Sequence, residues 1–126
     1  NLAWLESHLP GFGNIAAVDV QATLVELTST SITEAIRNSP FDISEIYICG
    51  GGSHNAHLMQ RLTEQLAPAT VQSTAAIGMD PDWVEAATFA WLASRTLEGL
   101  AGNSPAVTGA TEARVLGGIY PGGIWQ

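Results

Sequence analysis

The sequence predicts an α/β fold in which parallel strands are joined by crossover helices. Apolar residues recur at helical spacing in three long segments, and two short strand-like runs separate these segments, at residues 46–49 and 70–74. The order helix, strand, helix, strand, helix favours parallel strands, because each helix carries the chain back across the sheet. Three glycines, Gly50 to Gly52, follow the first strand. Two strands are few for a stable sheet, so we expect others upstream of Asn1 or from another chain.

Two helices are predicted before the first strand. Residues 2–9 are predicted to form a short helix with leucines along one side. The proline and glycines of residues 10–13 end this helix. Asp19 is a good N-cap residue for the second helix, whose apolar residues recur at helical spacing as far as Asn38. The proline of residues 39–40 then ends this helix.

The strand at residues 46–49 leads through the glycines into another helix. The strand is apolar without alternation, which predicts that both of its faces are covered and that Cys49 is buried. The helix is expected to begin at Ser53 or Asn55, since both residue types are common N-caps, and to end near Ala67.

The last long helix is predicted from Asp80, its N-cap, to Glu98, with Gly99 as the residue that ends it. Residues 86–94 of this helix carry no charge. A helix that is apolar on all sides is usually enclosed, so we expect other elements or a partner subunit to cover it. The protein is therefore predicted to form an oligomer.

The two ends of the chain differ in character. The tail, residues 102–126, is rich in glycine, proline and threonine, and residues 115–120 within it are expected to add a short strand or a packed arm. The chain begins at Asn1 without a methionine, so we interpret it as a piece of a longer protein. One incomplete domain is therefore expected over residues 1–126.

The composition argues against several classes of partner. The formal net charge is -8, with 12 acidic residues and 4 arginines or lysines, which disfavours nucleic acid or an anionic membrane as the main partner. No apolar run has the length of a membrane span, and no basic start indicates a signal peptide. The single Cys49 cannot form an internal disulfide, which favours a reducing cytoplasm.

Three kinds of nucleotide site can follow a strand with a glycine turn. A P-loop needs a lysine that holds the phosphates, and the chain has no lysine. A dinucleotide fold needs a third glycine where Asn55 stands, and an acidic residue about 20 positions on, where the sequence near Thr70 has none. The third kind is the adenosine motif of sugar kinases and actin-like ATPases, whose glycines let the backbone approach a nucleoside. A tight turn without a ligand is the fourth explanation.

Longer strings of residues resemble the anhydro-N-acetylmuramic acid kinase family. They follow the order of the family and extend over nearly the whole chain, at residues 19–24, 48–55, 58–59, 78–86, 89–93, 102–110 and 115–121. The resemblance implies the C-terminal part of an actin-like ATPase, or ribonuclease H-like, domain. It also implies a kinase that uses ATP and water to convert 1,6-anhydro-N-acetylmuramic acid to N-acetylmuramic acid 6-phosphate in cell-wall recycling.

Cofactors, partners and site residues are implied by the same resemblance. A cytoplasmic homodimer that works with Mg²⁺ is expected. The phosphate loops and the catalytic aspartate of the family lie earlier in the full protein, so neither a catalytic residue nor a metal ligand is expected in this chain. Gly50, Gly51 and Gly52 are expected to bind the nucleotide, on its adenosine or its phosphate side, with Asn55 as a polar contact. Glu85 is expected to bind the sugar.

Simpler structural roles compete with these assignments. Glu85 lies in the first turns of a helix, where its carboxylate stabilises the helix dipole beside Asp80 and Asp82. A carboxylate beside an apolar helix face is costly unless it is paired or bound, which favours a ligand. Asp80 could reach magnesium, but a helix cap explains it better. His54 and His57 lack further metal ligands nearby, so solvent-facing or capping roles are expected for both.

Functions from different classes therefore stay open. The leading hypothesis is a sugar kinase. The alternative is a non-catalytic nucleotide-binding or regulatory actin-like lobe that acts through oligomerisation, and an α/β association module without a ligand is a third.

Overall fold

The computed structural model describes residues 2–122 and shows an α/β fold; Asn1 and residues 123–126 of the tail lie outside this part. Within it the order is α1 (Leu2–His8), α2 (Ala17–Arg37), β1 (Glu45–Ile48), α3 (Ala56–Leu66), β2 (Thr70–Ser73), α4 (Val84–Leu97) and α5 (Pro105–Thr108). Short 3₁₀ turns cover Pro10–Phe12, Gly50–His54 and Thr74–Ile77. The predicted helices and strands are present, most of them within a few residues of their predicted ends.

Strands β1 and β2 form a parallel two-stranded sheet, as the order of the elements predicted. Ile48 is paired with Ser73, and α3 makes the crossover between the strands. Most of β1 is only half-buried, and Cys49 just beyond it is exposed. The prediction that β1 is covered on both faces and that Cys49 is buried was wrong, because within the described residues β1 packs mainly beside β2 and no helix packs extensively on it.

Helix α3 carries the small apolar core of the described residues. Leu62 has no exposed surface and Leu66 is 7% exposed. Residues four apart lie on the same face of a helix, and α3 packs against both α2 and β2. This one helix therefore joins the sheet to the preceding helix.

A polar network lies between α2 and α3. Arg61 donates from Nε to Glu26 Oε2 at 2.7 Å and from Nη2 to Glu26 Oε1 at 3.0 Å. Gln65 donates to Glu26 Oε1 at 2.9 Å and accepts from the Thr33 hydroxyl at 2.9 Å. Ser29 is fully buried at the same interface and Thr33 is 3% exposed. These bonds determine how the two helices meet, because a buried polar group destabilises the fold unless it has a partner.

Two of the predicted N-caps were wrong. Helix α2 begins directly after Ala16, so Asp19 lies inside its first turn, where a carboxylate still stabilises the helix dipole. Helix α4 begins only at Val84. Asp80 closes a separate turn before it, in which Asp80 Oδ1 accepts from the Asp82 N–H at 2.9 Å. An aspartate side chain can bond the backbone two residues on, and here this local bond replaces the helix cap.

The predicted end of α4 is confirmed. Gly99 has a φ of +67°, which a helix-ending residue needs and glycine adopts readily. The Leu100 N–H donates to the Arg95 carbonyl at 2.8 Å, and the Gly99 N–H donates to the Thr96 carbonyl at 3.2 Å. These two bonds satisfy carbonyl groups that the last turn would otherwise leave unpaired.

Helix α4 is not enclosed by residues 2–122. Phe89, Trp91 and Leu97 are 63%, 53% and 73% exposed. The accessible surface is 9550 Å², against about 6,400 Å² for a folded monomer of this mass. The cover predicted for α4 is therefore not supplied by these residues, and the oligomer stays a prediction.

No helix of the described part, α4 included, is long and apolar enough to cross a membrane.

The tail packs on α4 as an arm. The Thr96 hydroxyl donates to the Leu116 carbonyl. A Cβ atom on Gly102 would lie 3.0 Å from the Leu92 side chain, so the close approach of the tail to α4 favours glycine there. No strand forms over residues 115–120; of the two predicted alternatives, the packed arm is confirmed at Leu116.

The Glu26–Arg61 pair predicts how stability depends on pH. Hydrogen bonds from Arg61 lower the pKa of Glu26 below its usual value, although desolvation opposes this shift. A carboxyl group with a lowered pKa stabilises the fold above its unfolded pKa, and this stabilisation is lost as the pH falls through the folded pKa. We therefore expect urea unfolding of the full-length protein to show a loss of stability between about pH 5 and pH 3.

Glu26→Gln should lower the stability near neutral pH and remove part of this pH dependence. Glu34→Gln is the matched control, since Glu34 lies on the same helix and its carboxylate makes no hydrogen bond with residues 2–122. An unchanged pH dependence in Glu26→Gln would contradict the stabilising role of the pair.

Candidate functional site

The carboxyl ends of β1 and β2 lie side by side, because the strands are parallel and Ile48 is paired with Ser73. The turn Gly50–His54 follows β1, and the turn Thr74–Ile77 follows β2. In open parallel sheets, ligands bind outside the carboxyl ends of the strands. The pairing therefore brings the glycine turn and the segment that leads to α4 to the same edge, which we call the carboxyl edge.

The three glycines differ in what the turn requires of them. Gly50 has a φ of +67°, so the conformation of the turn itself favours glycine. A Cβ atom on Gly52 would make an ordinary contact with Leu58 at 3.5 Å, whereas one on Gly51 would meet no atom within 4 Å. The packing of the described residues does not require glycine at Gly51, so the space beside it is open to a ligand that approaches the backbone.

Asn55 caps helix α3. Its side-chain oxygen accepts from the Leu58 N–H at 3.1 Å, the bond expected of an N-cap. Ser53, the other predicted start of this helix, instead donates its hydroxyl to the Gly50 carbonyl at 2.7 Å and closes the glycine turn. Asn55 therefore has a structural role. Because its side-chain oxygen caps the helix, a contact with a nucleotide would use its amide nitrogen.

Two interactions join the glycine turn to the loop before α4. The Gly50 N–H donates to the Pro81 carbonyl at 2.8 Å. His54 Nε2 lies 2.8 Å from Asp82 Oδ1, and the imidazole N–H is the donor because an ionised carboxylate can only accept. Sequence reasoning did not find this pair, since 28 positions separate the two residues and no local pattern links them.

Glu85 lies in the first turn of α4, three positions after Asp82. It is exposed, and its carboxylate makes no hydrogen bond or ion pair with residues 2–122. A carboxylate here also stabilises the helix dipole, as the structural alternative predicted. The contact of Glu85 with sugar stays a prediction.

The arginine side chains of the described residues bond acceptors that lie away from the carboxyl edge. The chain has no lysine, and each arginine bonds an acceptor of its own: Arg37 the Gln65 carbonyl, Arg61 the Glu26 carboxylate, Arg95 the Ala101 carbonyl and Arg114 the Glu112 carboxylate. The carboxyl edge instead carries Asp80, Asp82 and Glu85. Carboxylates without a nearby cation repel a triphosphate, so this edge suits an uncharged polar ligand, such as a nucleoside or a sugar, better.

A metal site does not form from residues 2–122 alone. No group of three histidine, cysteine or acidic side chains within them could hold an ion. His54 is paired with Asp82 and is 59% exposed along its side chain. The described residues therefore do not fit a resident metal without ligands from elsewhere.

Thr74 is a further residue at the carboxyl edge whose role sequence reasoning missed. It is 8% exposed, and its hydroxyl has no hydrogen-bond partner within residues 2–122. Most buried hydroxyl groups are paired. No sequence pattern could have marked Thr74, because a threonine at the end of a strand is ordinary.

Known proteins match nearly the whole chain. A family model described as anhydro-N-acetylmuramic acid kinase matches residues 1–122. The anhydro-N-acetylmuramic acid kinase of Pseudomonas fluorescens (strain Pf0-1) is 54% identical over 121 residues, which are 96% of this chain and 33% of that protein. The enzyme of the same name from Coxiella burnetii (strain Dugway 5J108-111) is 48% identical over 122 residues, which are 97% of this chain and 32% of that protein.

The chain spans about a third of the length of these relatives. The matches do not bear out the prediction that it is the C-terminal part of such a protein. The family model nevertheless covers all but the last few residues, and the identity to several relatives is near one half. A match of this extent shows that the chain belongs to the anhydro-N-acetylmuramic acid kinase family.

Proposed function

We propose that the chain is part of a kinase that uses ATP and water to convert 1,6-anhydro-N-acetylmuramic acid to N-acetylmuramic acid 6-phosphate in cell-wall recycling. Family membership supports the reaction class, and the names of the relatives supply the sugar. Water opens the 1,6-anhydro bridge, the γ-phosphoryl group of ATP goes to position 6, and ADP leaves. On this proposal residues 1–126 form part of an actin-like, ribonuclease H-like lobe, with a tail rich in glycine and proline from about residue 102.

The chain supplies the adenosine side of the ATP cleft in this proposal. The observation that carries the assignment is the open space beside Gly51, in a turn that directly follows a parallel strand. Adenosine is uncharged, so it does not need the lysine or arginine that the carboxyl edge lacks in residues 2–122. Gly50 and Gly52 shape the turn around Gly51, and the amide nitrogen of Asn55 is the polar contact.

The remaining parts of the reaction are assigned to the protein outside this chain. Phosphate loops and a catalytic aspartate are proposed there, and Mg²⁺ is proposed to bind with the phosphates of ATP. Mg²⁺ would neutralise the charge that moves during phosphoryl transfer. Glu85 is the proposed sugar contact within this chain. A cytoplasmic location and a homodimer complete the proposal.

The alternative function is a non-catalytic regulatory lobe that acts through oligomerisation. The exposed apolar side chains of α4 favour it, since such a surface is suited to a partner subunit. An assay of the full-length protein with ATP and 1,6-anhydro-N-acetylmuramic acid separates the two functions. Phosphorylated sugar supports the kinase, whereas ATP binding without any sugar product supports the regulatory lobe.

Gly51→Ala in the full-length protein should raise the KM for ATP about tenfold, which corresponds to ~1.4 kcal/mol of binding free energy. The added methyl group meets no atom of the described residues, so it should obstruct the nucleoside and leave the fold intact. Steady-state kinetics with ATP varied, together with the melting temperature, provide the measurement.

Gly11→Ala is the matched control, because Gly11 also lies in a 3₁₀ turn and also has open space where its Cβ would stand. It should leave the KM for ATP unchanged. A wild-type KM for ATP in Gly51→Ala would indicate a turn without a ligand.

Glu85→Gln should raise the KM for the sugar, lower kcat, or both, and leave ATP affinity nearly unchanged. The substitution keeps the shape of the side chain and removes the charge that is proposed to bind the sugar. Glu98→Gln serves as the control, since Glu98 lies at the opposite end of α4. Wild-type kinetics for the sugar in Glu85→Gln would leave only the helix-dipole role for this residue.

A further inference from the structure

The glycine turn is attached to the loop before α4 at both of its ends. The Gly50 N–H bonds the Pro81 carbonyl at 2.8 Å, and His54 Nε2 bonds Asp82 Oδ1 at 2.8 Å. Gly50 and His54 are the first and last residues of the turn. Attachment at two separated points restricts the orientation of the turn as well as its distance from the loop.

The loop on the other side of these bonds is itself held in shape. Asp80 Oδ1 accepts from the Asp82 N–H at 2.9 Å, and the Asp80 carbonyl accepts from the Trp83 N–H at 3.0 Å. The loop then continues without a break into α4, whose second residue is Glu85. The position of the glycine turn is thereby linked to the position of Glu85 through a short, hydrogen-bonded segment.

Stability of the fold does not explain the His54–Asp82 pair. The two side chains are 59% and 61% exposed. A hydrogen-bonded pair this exposed contributes little to the free energy of unfolding, because water competes for both groups. Its effect is therefore local, on the geometry of the carboxyl edge.

We propose that His54 and Asp82 are positioning residues that hold the nucleotide-binding turn in register with Glu85. The inference rests on the function proposed above, because it assigns the turn to ATP and Glu85 to the sugar. Phosphoryl transfer needs its reactants aligned, and a misplacement of about 1 Å costs up to about a hundredfold in rate. Loss of the pair should therefore lower kcat more than it weakens the binding of either substrate.

The test is a double-mutant cycle in the full-length protein. His54→Ala and Asp82→Ala should each lower kcat about tenfold or more, with the KM values for ATP and sugar within about twofold of wild type. The double variant should be no worse than either single variant, because one removed partner already abolishes the interaction. Independent, multiplying losses, or no loss, would overturn the proposal.

Conservative variants separate positioning from direct contact. His54→Gln and Asp82→Asn each keep a donor–acceptor pair between the two positions, so both should recover most of the activity lost in the alanine variants. His57→Ala is the control, since His57 makes no hydrogen bond to the Pro81–Asp82 segment. A rise confined to the KM for ATP in His54→Ala would make His54 a nucleotide contact and would overturn the positioning role.

Hydrogen–deuterium exchange without substrates provides a readout that does not depend on activity. Exchange over residues 49–55 and 78–85 should be faster in His54→Ala and Asp82→Ala than in wild type or His57→Ala, while the melting temperature stays close to that of wild type. Unchanged exchange would overturn the positioning role and leave the kinase proposal intact. A wild-type protein that forms no phosphorylated sugar would overturn the kinase proposal, and this inference with it.

Discussion

The parallel pairing of β1 with β2 is the constraint on which the arrangement of the molecule depends. It sets Ile48 beside Ser73, so the two chain segments that leave the sheet emerge at one edge. An antiparallel pairing of the same strands would send them to opposite edges. The hydrogen bond from Gly50 to Pro81 is possible only because of this arrangement. Helix α3 maintains it, since the crossover packs Leu62 and Leu66 between the sheet and α2.

The chemical character of the carboxyl edge follows from where the charges lie. Arg61 is engaged with Glu26 between two helices, and no lysine exists to replace it at the edge. The edge offers open backbone at Gly51 and the carboxylate of Glu85. Such a surface selects a ligand by its shape and its hydrogen-bonding groups more than it attracts anions. This agrees with the proposal that other parts of the protein bind the phosphates. The charged phosphates would then be held by the part of the cleft that lies outside this chain.

The sequence predicted the fold better than it predicted individual side chains. Helical periodicity and the proline and glycine stops are local signals, so the elements and the end of α4 at Gly99 were predicted nearly where they occur. The N-caps at Asp19 and Asp80 were misplaced, because α2 begins directly after Ala16 and Asp80 bonds the Asp82 N–H in a separate turn before α4. The glycine turn was located from sequence, but coordinates were needed to show that Gly50 has a positive φ, that Gly52 lies against Leu58 and that Gly51 has neither constraint.

By itself the sequence determined the order of the elements and the parallel sheet, because these depend on residue spacing along the chain, and it carried the family resemblance in its longer strings of residues. Only the tertiary structure decided that His54 meets Asp82 and that the Thr74 hydroxyl is buried without a partner among the described residues. It also decided that Phe89, Trp91 and Leu97 of α4 remain exposed among residues 2–122. The physical reason is that a contact across 28 positions, or the exposure of a helix face, depends on which distant segments the fold brings together.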